Sequence, residues 1–176
     1  MAGLIVWRRY AFALFDLCVE AGTLEKARSD AIKISDALTA EKETAQVFQN
    51  PQITSVEKEE FFKKAFPDAA AEILGLVSVM LKKGRSFDIL QTLNVFIEDA
   101  NDYSGIITAE VKSAVPLNNA QRNELKRKIS SGTGKIAVLK ETVDASLIGG
   151  ILIKADGLMI DGTIKKKLEA FAQSLA

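Results

Sequence analysis

Apolar side chains recur every three or four residues along the chain up to about Asp102. This spacing places them on one face of a helix and the polar side chains on the other, so it predicts a succession of amphipathic helices. We expect them to pack as an all-α six-helix bundle. The predicted helices run from about Val6 to Ala21, Leu24 to Leu38, Thr44 to Phe48, Thr54 to Phe66, Ala69 to Leu81 and Ser86 to Ala100.

The predicted fifth helix differs from the others because it is apolar on almost every side. Between Ala69 and Leu81 the charged position is Glu72. A helix that is apolar all round has to be covered on every side. The pattern therefore indicates either a central helix of the bundle or a helix that shares its surface with another chain.

The period of the pattern changes from 3.6 to 2 after the polar stretch from Asn101 to Gly105. Alternation of apolar and polar residues is typical of half-buried strands, so we place a domain boundary here, with domains at 1–104 and 105–176. The second domain is predicted to be α+β, and so is the whole chain. Its predicted elements are a strand at Ile107 to Ser113, a helix at Asn118 to Ser130, strands at Ile136 to Val143 and Leu147 to Ile153, and a helix at Thr163 to Leu175.

Two adjacent glycines, Gly149 and Gly150, lie inside the last predicted strand. Glycine weakens a strand interior, so this pair indicates a bulge or a close approach of another backbone segment. The dipeptide Asp156-Gly157 that follows is typical of a tight hairpin turn.

Three carboxylates lie close together in sequence, at Asp144, Asp156 and Asp161. Their neighbours favour turn and cap roles over a shared metal ion. In particular, Asp161-Gly162 with Thr163 is predicted to end a strand and to cap the last helix, because side-chain oxygens there accept bonds from free backbone N–H groups.

Composition excludes several classes of function. The chain has 23 basic and 23 acidic residues, so no net positive charge indicates nucleic acid or an anionic membrane. It contains no histidine, the commonest general base and metal ligand. The single cysteine, Cys18, excludes an internal disulfide and is predicted to be a small buried hydrophobe. We therefore predict neither catalytic residues nor a bound metal or cofactor.

The segment SSGTGKIA, Ser130 to Ala137, superficially resembles the end of a phosphate-binding loop. A Walker A motif requires a glycine where this chain has Ile129, a hydroxyl residue where it has Ile136, and a strand before the loop. The segment instead lies between a predicted helix and a predicted strand. A glycine-containing turn is the favoured interpretation, and a small nucleotide-binding enzyme built on this turn is the alternative.

Several short motifs occur in a fixed order along nearly the whole chain. They are RRYAFALFDL from Arg8 to Leu17, Asn50-Pro51 with Lys58, Gly84-Arg85, KSAVPL from Lys112 to Leu117, and VDASLIGG from Val143 to Gly150 with Asp161-Gly162. In this order they resemble the delta subunit family of F-type ATP synthases, which includes the mitochondrial oligomycin-sensitivity-conferring protein.

The resemblance implies a site on the helical bundle. In that family the first and fifth helices form a groove that receives the N-terminal helix of an alpha subunit. From the residue pattern alone an internal core position is favoured for these side chains, because aromatic and methionine stripes usually pack inward. The corresponding residues here are Tyr10, Ala11, Leu14 and Cys18 of the first helix, and Leu76, Val77, Met80 and Leu81 of the fifth.

The resemblance also implies a non-catalytic stator subunit of the peripheral stalk that links the alpha subunits to the C-terminal region of the b subunits. Such a subunit resists rotor torque during ATP synthesis coupled to ion transport. It contacts the cytoplasmic face of the bacterial plasma membrane through the complex alone, binds no nucleic acid and forms no homo-oligomer. A predicted helix that begins close to Met1 favours a bacterial chain. A generic helical adaptor is a further alternative.

Overall fold

A computed structural model describes residues 2–40, 48, 50–155, 158–166 and 168 of the chain. The chain divides into two compact units, Met1–Ala100 and Asn101–Ala176. The division falls a few residues before the position at which the sequence pattern changes. Within the described residues, every helix is too short or too polar to cross a membrane.

The N-terminal unit is helical, as predicted. The described part of the chain up to residue 103 contains five α-helices and a short 3-10 helix, Ser86–Asp88. Of the predicted third helix, Thr44 to Phe48, only Phe48 lies within the described residues, where it is helical. The predicted fifth helix is therefore numbered α4 here. The α-helices are α1 (Ala2–Glu20), α2 (Leu24–Ala40), α3 (Ser55–Ala65), α4 (Ala71–Lys82) and α5 (Ile89–Tyr103).

Helix α3 begins with a capping box, which the sequence predicts because Thr54 is followed three residues later by Glu57. The hydroxyl of Thr54 accepts a hydrogen bond from the Glu57 backbone N–H at 3.3 Å, and the Glu57 carboxylate accepts one from the Thr54 backbone N–H at 2.9 Å. These two bonds satisfy backbone donors that a helix start otherwise leaves free. The backbone and hydroxyl bonds from Thr54 also lower the pKa of the Glu57 carboxyl.

The core of the N-terminal unit combines one contiguous apolar cluster with two hydrogen bonds of buried polar side chains. Phe62, Ile73 and Phe96 are at most 1% exposed. The Asp30 carboxylate accepts a hydrogen bond from the Ala70 backbone N–H at 3.2 Å, immediately before α4. The buried Lys58 ammonium donates to the Phe48 carbonyl at 2.8 Å. Both hydrogen bonds satisfy buried polar groups, which would destabilise the folded state if they were left without a partner.

The C-terminal unit contains a four-stranded sheet with a helix between its first two strands, which confirms the α+β class. Its elements are β1 (Ile106–Ser113), α6 (Asn119–Thr133), β2 (Ile136–Val143), β3 (Ile151–Ala155) and β4 (Leu158–Asp161). The strand order is β2-β1-β3-β4; β1 and β2 are parallel, and the other two pairs are antiparallel. Residues 164–166 and 168 are helical, and the rest of the predicted last helix lies outside the described residues.

The alternation predicted for the first strand is present in β1. Alternate side chains are buried, and Val111 lies opposite Ile153 of β3. Leu125 of α6 belongs to the same buried cluster. Because directly paired residues share a face of the sheet, this cluster defines the covered face. The buried residues of β1 are Ile107, Ala109, Val111 and Ser113.

Two predictions about local structure were wrong. Asn101 to Tyr103, expected to form a polar linker, are the last turn of α5. The strand predicted from Leu147 begins only at Ile151, because Ala145–Leu147 is a 3-10 helix and Ile148 has a φ of 62°. An apolar, β-branched run indicates a strand by composition, but this one changes direction before the strand starts.

The close approach expected at the paired glycines is present where the chain changes direction. Gly150 has a φ of 88°, and a Cβ built there would lie 2.4 Å from the Gly162 carbonyl oxygen. A Cβ at Gly149 would lie 2.6 Å from the Ile164 Cδ1. Gly162 donates its N–H to the Ile151 carbonyl at 2.9 Å, so the two backbone segments are held together at this point. The predicted turn Asp156-Gly157 lies outside the described residues.

We expect Gly150→Ala to destabilise the C-terminal unit, because the added Cβ meets backbone and the positive φ is strained for alanine. A loss of about 1–3 kcal/mol in the free energy of unfolding is expected. Gly132→Ala is the matched control: Gly132 lies within α6, with no neighbour within 4 Å of the added Cβ. The control should gain roughly 0.5–1 kcal/mol from helix propensity. Chemical denaturation of both variants measures the difference, and equal stabilities would contradict the close approach.

Candidate functional site

The structure places most of the predicted groove residues in the core of the N-terminal unit. Tyr10 and Leu76 are half-buried and remain partly accessible. The other six are at most 4% exposed and pack within one apolar cluster. A partner that binds the folded chain therefore contacts the more exposed side chains around these six residues. The six buried residues are Ala11, Leu14, Cys18, Val77, Met80 and Leu81.

Helices α1 and α4 pack antiparallel, as contacts at the two ends of α4 show. At one end, beyond the last turn of α1, the Thr23 hydroxyl donates to the Glu72 carboxylate of α4 at 2.8 Å. At the other end, the Arg85 guanidinium lies over the Tyr10 ring at 5.6 Å from its centroid. Close by, the Trp7 indole N–H donates to the Asp88 carboxylate at 2.7 Å. These polar contacts set the direction in which one helix lies on the other.

The flanks that carry these contacts also carry exposed apolar side chains. On α1, Ala13 and Leu17 follow Tyr10 at helical spacing, and Leu17 is 49% exposed. On α4, Leu76 and Val79 follow Glu72 at helical spacing, and Val79 is 47% exposed. Residues three or four apart lie on the same side of a helix, so Leu17 shares the flank of Tyr10, and Val79 shares the flank of Glu72. We call the surface formed by Tyr10, Ala13, Leu17, Leu76 and Val79 the α1–α4 groove.

Six of the eight residues predicted from the sequence lie in the layer beneath this groove. Leu14 and Leu17 both belong to the apolar stripe of the first predicted helix, yet Leu14 is 2% exposed and Leu17 is 49% exposed. The sequence contains one signal that separates these two residues, because Leu17 lies at the edge of the apolar stripe, next to the exposed Asp16. On the fifth predicted helix, which is apolar almost all round, the sequence contains no comparable signal that separates Val79 from Met80.

Burial also determines the chemistry of Cys18. The side chain is fully buried, and this desolvation, together with the nearby Glu72 carboxylate, raises the pKa of the Cys18 thiol to about 11. A nucleophilic cysteine requires a lowered pKa and access to solvent. Cys18 therefore acts as an apolar core residue.

The SGTGK segment is the C-terminal cap of α6 followed by β2. Gly134 has a φ of 70° and donates its N–H to the Ser130 carbonyl at 2.9 Å. The next two N–H groups donate to the Thr133 hydroxyl and to the Gly105 carbonyl, and that of Ala137 donates to the Ser130 hydroxyl. All four consecutive amides are thus engaged within the fold. A phosphate-binding loop requires such amides to point at the ligand.

The two described carboxylates of the predicted trio make local caps. Asp144 accepts hydrogen bonds from the Ser146 hydroxyl at 2.6 Å and from its backbone N–H at 3.0 Å, which lowers the pKa of the Asp144 carboxyl. Asp161 accepts from the Thr163 backbone N–H at 3.0 Å, and the Thr163 hydroxyl in turn accepts from the Lys166 N–H at 3.3 Å. Asp156 lies outside the described residues, among which the structure groups no three metal-ligating side chains.

Comparison with known proteins gives consistent matches along the chain. The family model described as ATP synthase delta (OSCP) subunit matches residues 6–175. The ATP synthase subunit delta of Brevibacillus brevis is 30% identical over 169 residues, covering 96% of this chain and 97% of the relative. That of Chlorobaculum tepidum is 32% identical, covering 99% and 97%. A chain of the Toxoplasma gondii mitochondrial ATP synthase hexamer shares the fold, with a TM-score of 0.75, 17% identity and 97% coverage of both chains.

We expect Met80→Asp to unfold the N-terminal unit and Val79→Asp to leave it folded. Met80 is fully buried, so an aspartate there would be desolvated without a partner, whereas Val79 is 47% exposed. Both changes introduce an aspartate into the same helix, and the difference in helix propensity between Met and Val, about a few tenths of a kcal/mol, is small beside the cost of a buried carboxylate. Circular dichroism at 222 nm during thermal unfolding provides the measurement. Equal melting temperatures would show that the two positions are not core and surface.

We expect Cys18 in the folded chain to resist thiol reagents at pH 8. A pKa of about 11 instead of 9.0 gives about a hundredfold less thiolate at that pH, and burial restricts access further. Labelling with 5,5′-dithiobis(2-nitrobenzoic acid) should therefore be slow in buffer and rapid in denaturant. Rapid labelling of the folded chain would contradict the burial of this side chain.

Proposed function

Because this chain belongs to the ATP synthase delta (OSCP) subunit family, we propose that it is a non-catalytic connector in the peripheral stalk of an F-type ATP synthase. Its N-terminal domain, 1–104, binds the N-terminal helix of an alpha subunit. Its C-terminal domain, 105–176, binds the C-terminal region of the b subunits. The connection holds the catalytic head stationary against rotor torque. The complex lies on the cytoplasmic face of the bacterial plasma membrane.

The observation that carries the alpha-subunit part of this proposal is the α1–α4 groove. Two antiparallel helices present apolar side chains on facing flanks, and Leu17 and Val79 are each about half exposed in the chain alone. An amphipathic helix laid into such a groove buries its apolar face against them. The eight predicted site residues then divide into two layers. Tyr10 and Leu76 contact the partner, and the other six support the groove from below.

The C-terminal domain has exposed apolar surface that suits the second partner. Ile136 and Val138, at 66% and 44% exposure, lie two residues apart on the edge strand β2 and therefore point to the same face of the sheet. Met159, at 60% exposure, lies on the opposite edge strand, β4. Unpaired sheet edges with apolar side chains are surfaces that proteins usually cover. A segment of the b subunits is the occupant that this proposal requires.

The two alternative functions make different demands on the chain. A nucleotide-binding enzyme would need the amides of residues 134–137, which donate to other groups of this fold. A generic adaptor unrelated to energy coupling would not select the alpha and b subunits. Co-purification of the full chain with both subunits separates the adaptor from the connector.

We expect Leu17→Ser to weaken binding of a peptide from the alpha-subunit N-terminus by at least about tenfold, because the change removes an apolar contact from the groove. Phe12→Ser is the matched control. Phe12 is also on α1 and is 60% exposed, but it lies on a different side of the helix. Calorimetric titration of both variants, after circular dichroism has shown that they fold, gives the affinities. Equal weakening of binding, or none in either variant, would contradict the placement of the groove.

A further inference from the structure

The α1–α4 groove carries a gradient of charge along its length. On α4, Glu72, Leu76, Val79 and Lys83 succeed one another at spacings of four, three and four residues, so the stripe is acidic at one end and basic at the other. Lys83 is the exposed residue that caps this helix. The distance along the helix axis from Glu72 to Lys83 is about 16 Å, or three helical turns.

A second stripe with the same charge order lies on α1. Arg9, Ala13, Leu17 and Glu20 follow one another at spacings of four, four and three residues. Arg9 and Glu20 are both exposed. The first half of the helix thus contributes a basic residue to this flank, and its last turn contributes an acidic one.

The antiparallel packing brings like charges to the same end of the groove. Thr23 reaches Glu72, so Glu20 lies at the end that Glu72 occupies. Arg85 covers Tyr10, so Arg9 lies at the end of Lys83. The groove is therefore acidic at one end, basic at the other and apolar between them.

Interaction with the helix dipole explains the order of the charges on α4 but not the order of those on α1. On α4, an acidic residue in the first turn and a lysine in the last turn favour the dipole of that helix itself. On α1 the arrangement is reversed, because Glu20 is the last residue of the helix, where a negative charge opposes the dipole. Stability of α1 therefore gives no reason for Glu20, whereas a ligand in the groove does.

The dipoles of the two helices do not favour either direction for a ligand. At the acidic end, the C-terminus of α1 lies beside the N-terminus of α4, so their partial charges oppose each other. The same cancellation holds at the basic end. The side-chain charges are left to decide how a bound helix is oriented.

We propose that the groove accepts an amphipathic helix in one direction only, antiparallel to α1 and parallel to α4. The N-terminus of the bound helix, where its dipole is positive, lies at Glu20 and Glu72. Its C-terminus, where the dipole is negative, lies at Arg9 and Lys83. The charged ends of the groove lie about three turns apart, so the bound segment has at least about eleven helical residues. This inference rests on the proposed function, in which the occupant is the N-terminal helix of an alpha subunit.

The direction is tested with the alpha-subunit N-terminal peptide carrying a nitroxide at one end or the other, and the full chain labelled with nitrogen-15. A label on the peptide N-terminus should broaden the amide signals of Glu20 and Gly22 more than those of Arg9 and Lys83. A label on the peptide C-terminus should give the opposite pattern. Diamagnetic versions of both peptides provide the reference intensities.

The outcomes distinguish this inference from the proposed function. The reversed pattern, or equal broadening at both ends by either label, would overturn the direction and leave the groove as a binding site. A peptide that does not bind would overturn both. The expected pattern with saturable binding supports both.

Charge reversal provides a second measurement of the same direction. Glu20→Lys should weaken peptide binding by about two- to fivefold at low salt, and the difference should shrink as salt is added. Glu60→Lys is the matched control, since Glu60 is an exposed residue of α3 and the change in net charge is the same. Equal affinities for the two variants would contradict a role for the acidic end.

Discussion

The packing of α4 against the rest of the helical bundle is the contact on which the N-terminal unit depends. Ile73, Val77 and Met80 form one face of this helix, and each is at most 1% exposed. Burial of a side chain of this size contributes about 1.5–3 kcal/mol, so this face supplies a substantial part of the stability of a small domain. Ala11, Leu14 and Cys18 of α1 belong to the same cluster. A partner that binds above them therefore binds to a supported surface.

The polar contacts between α1 and α4 determine the relative direction of the two helices more than they stabilise the packing. The Thr23–Glu72 bond, the Arg85–Tyr10 contact and the Trp7–Asp88 bond lie near the two ends of α4 and are partly exposed. Hydrogen bonds in such places contribute about 0.5–1.5 kcal/mol each. Apolar burial would allow α1 to shift or turn on α4, whereas these bonds permit one arrangement. The charge gradient of the groove exists only because that arrangement is antiparallel.

A connector that transmits torque gains from this division between apolar and polar contacts. Exposed ion pairs contribute about 0–1 kcal/mol and weaken with salt, so they cannot hold a partner under load by themselves. In the proposed complex, apolar groove contacts supply the greater part of the binding free energy, and the charges at the two ends select the direction of the partner. In the C-terminal unit two segments are held together by direct backbone contact, since the backbone at Gly162 leaves no room for a side chain at position 150.

Local patterns in the sequence by themselves determined the helices, the capping box at Thr54 and the buried face of β1, because periodicity and capping depend on neighbours in the chain. The order of the motifs determined the family. The tertiary structure alone decided that Ile148 to Gly150 turn before β3, since the reason is a backbone segment at Gly162 that is distant in sequence. It likewise decided that Met80 is core and Val79 is surface. Periodicity cannot separate adjacent apolar residues of a helix that is apolar almost all round, because their exposure depends on which helices pack beside them.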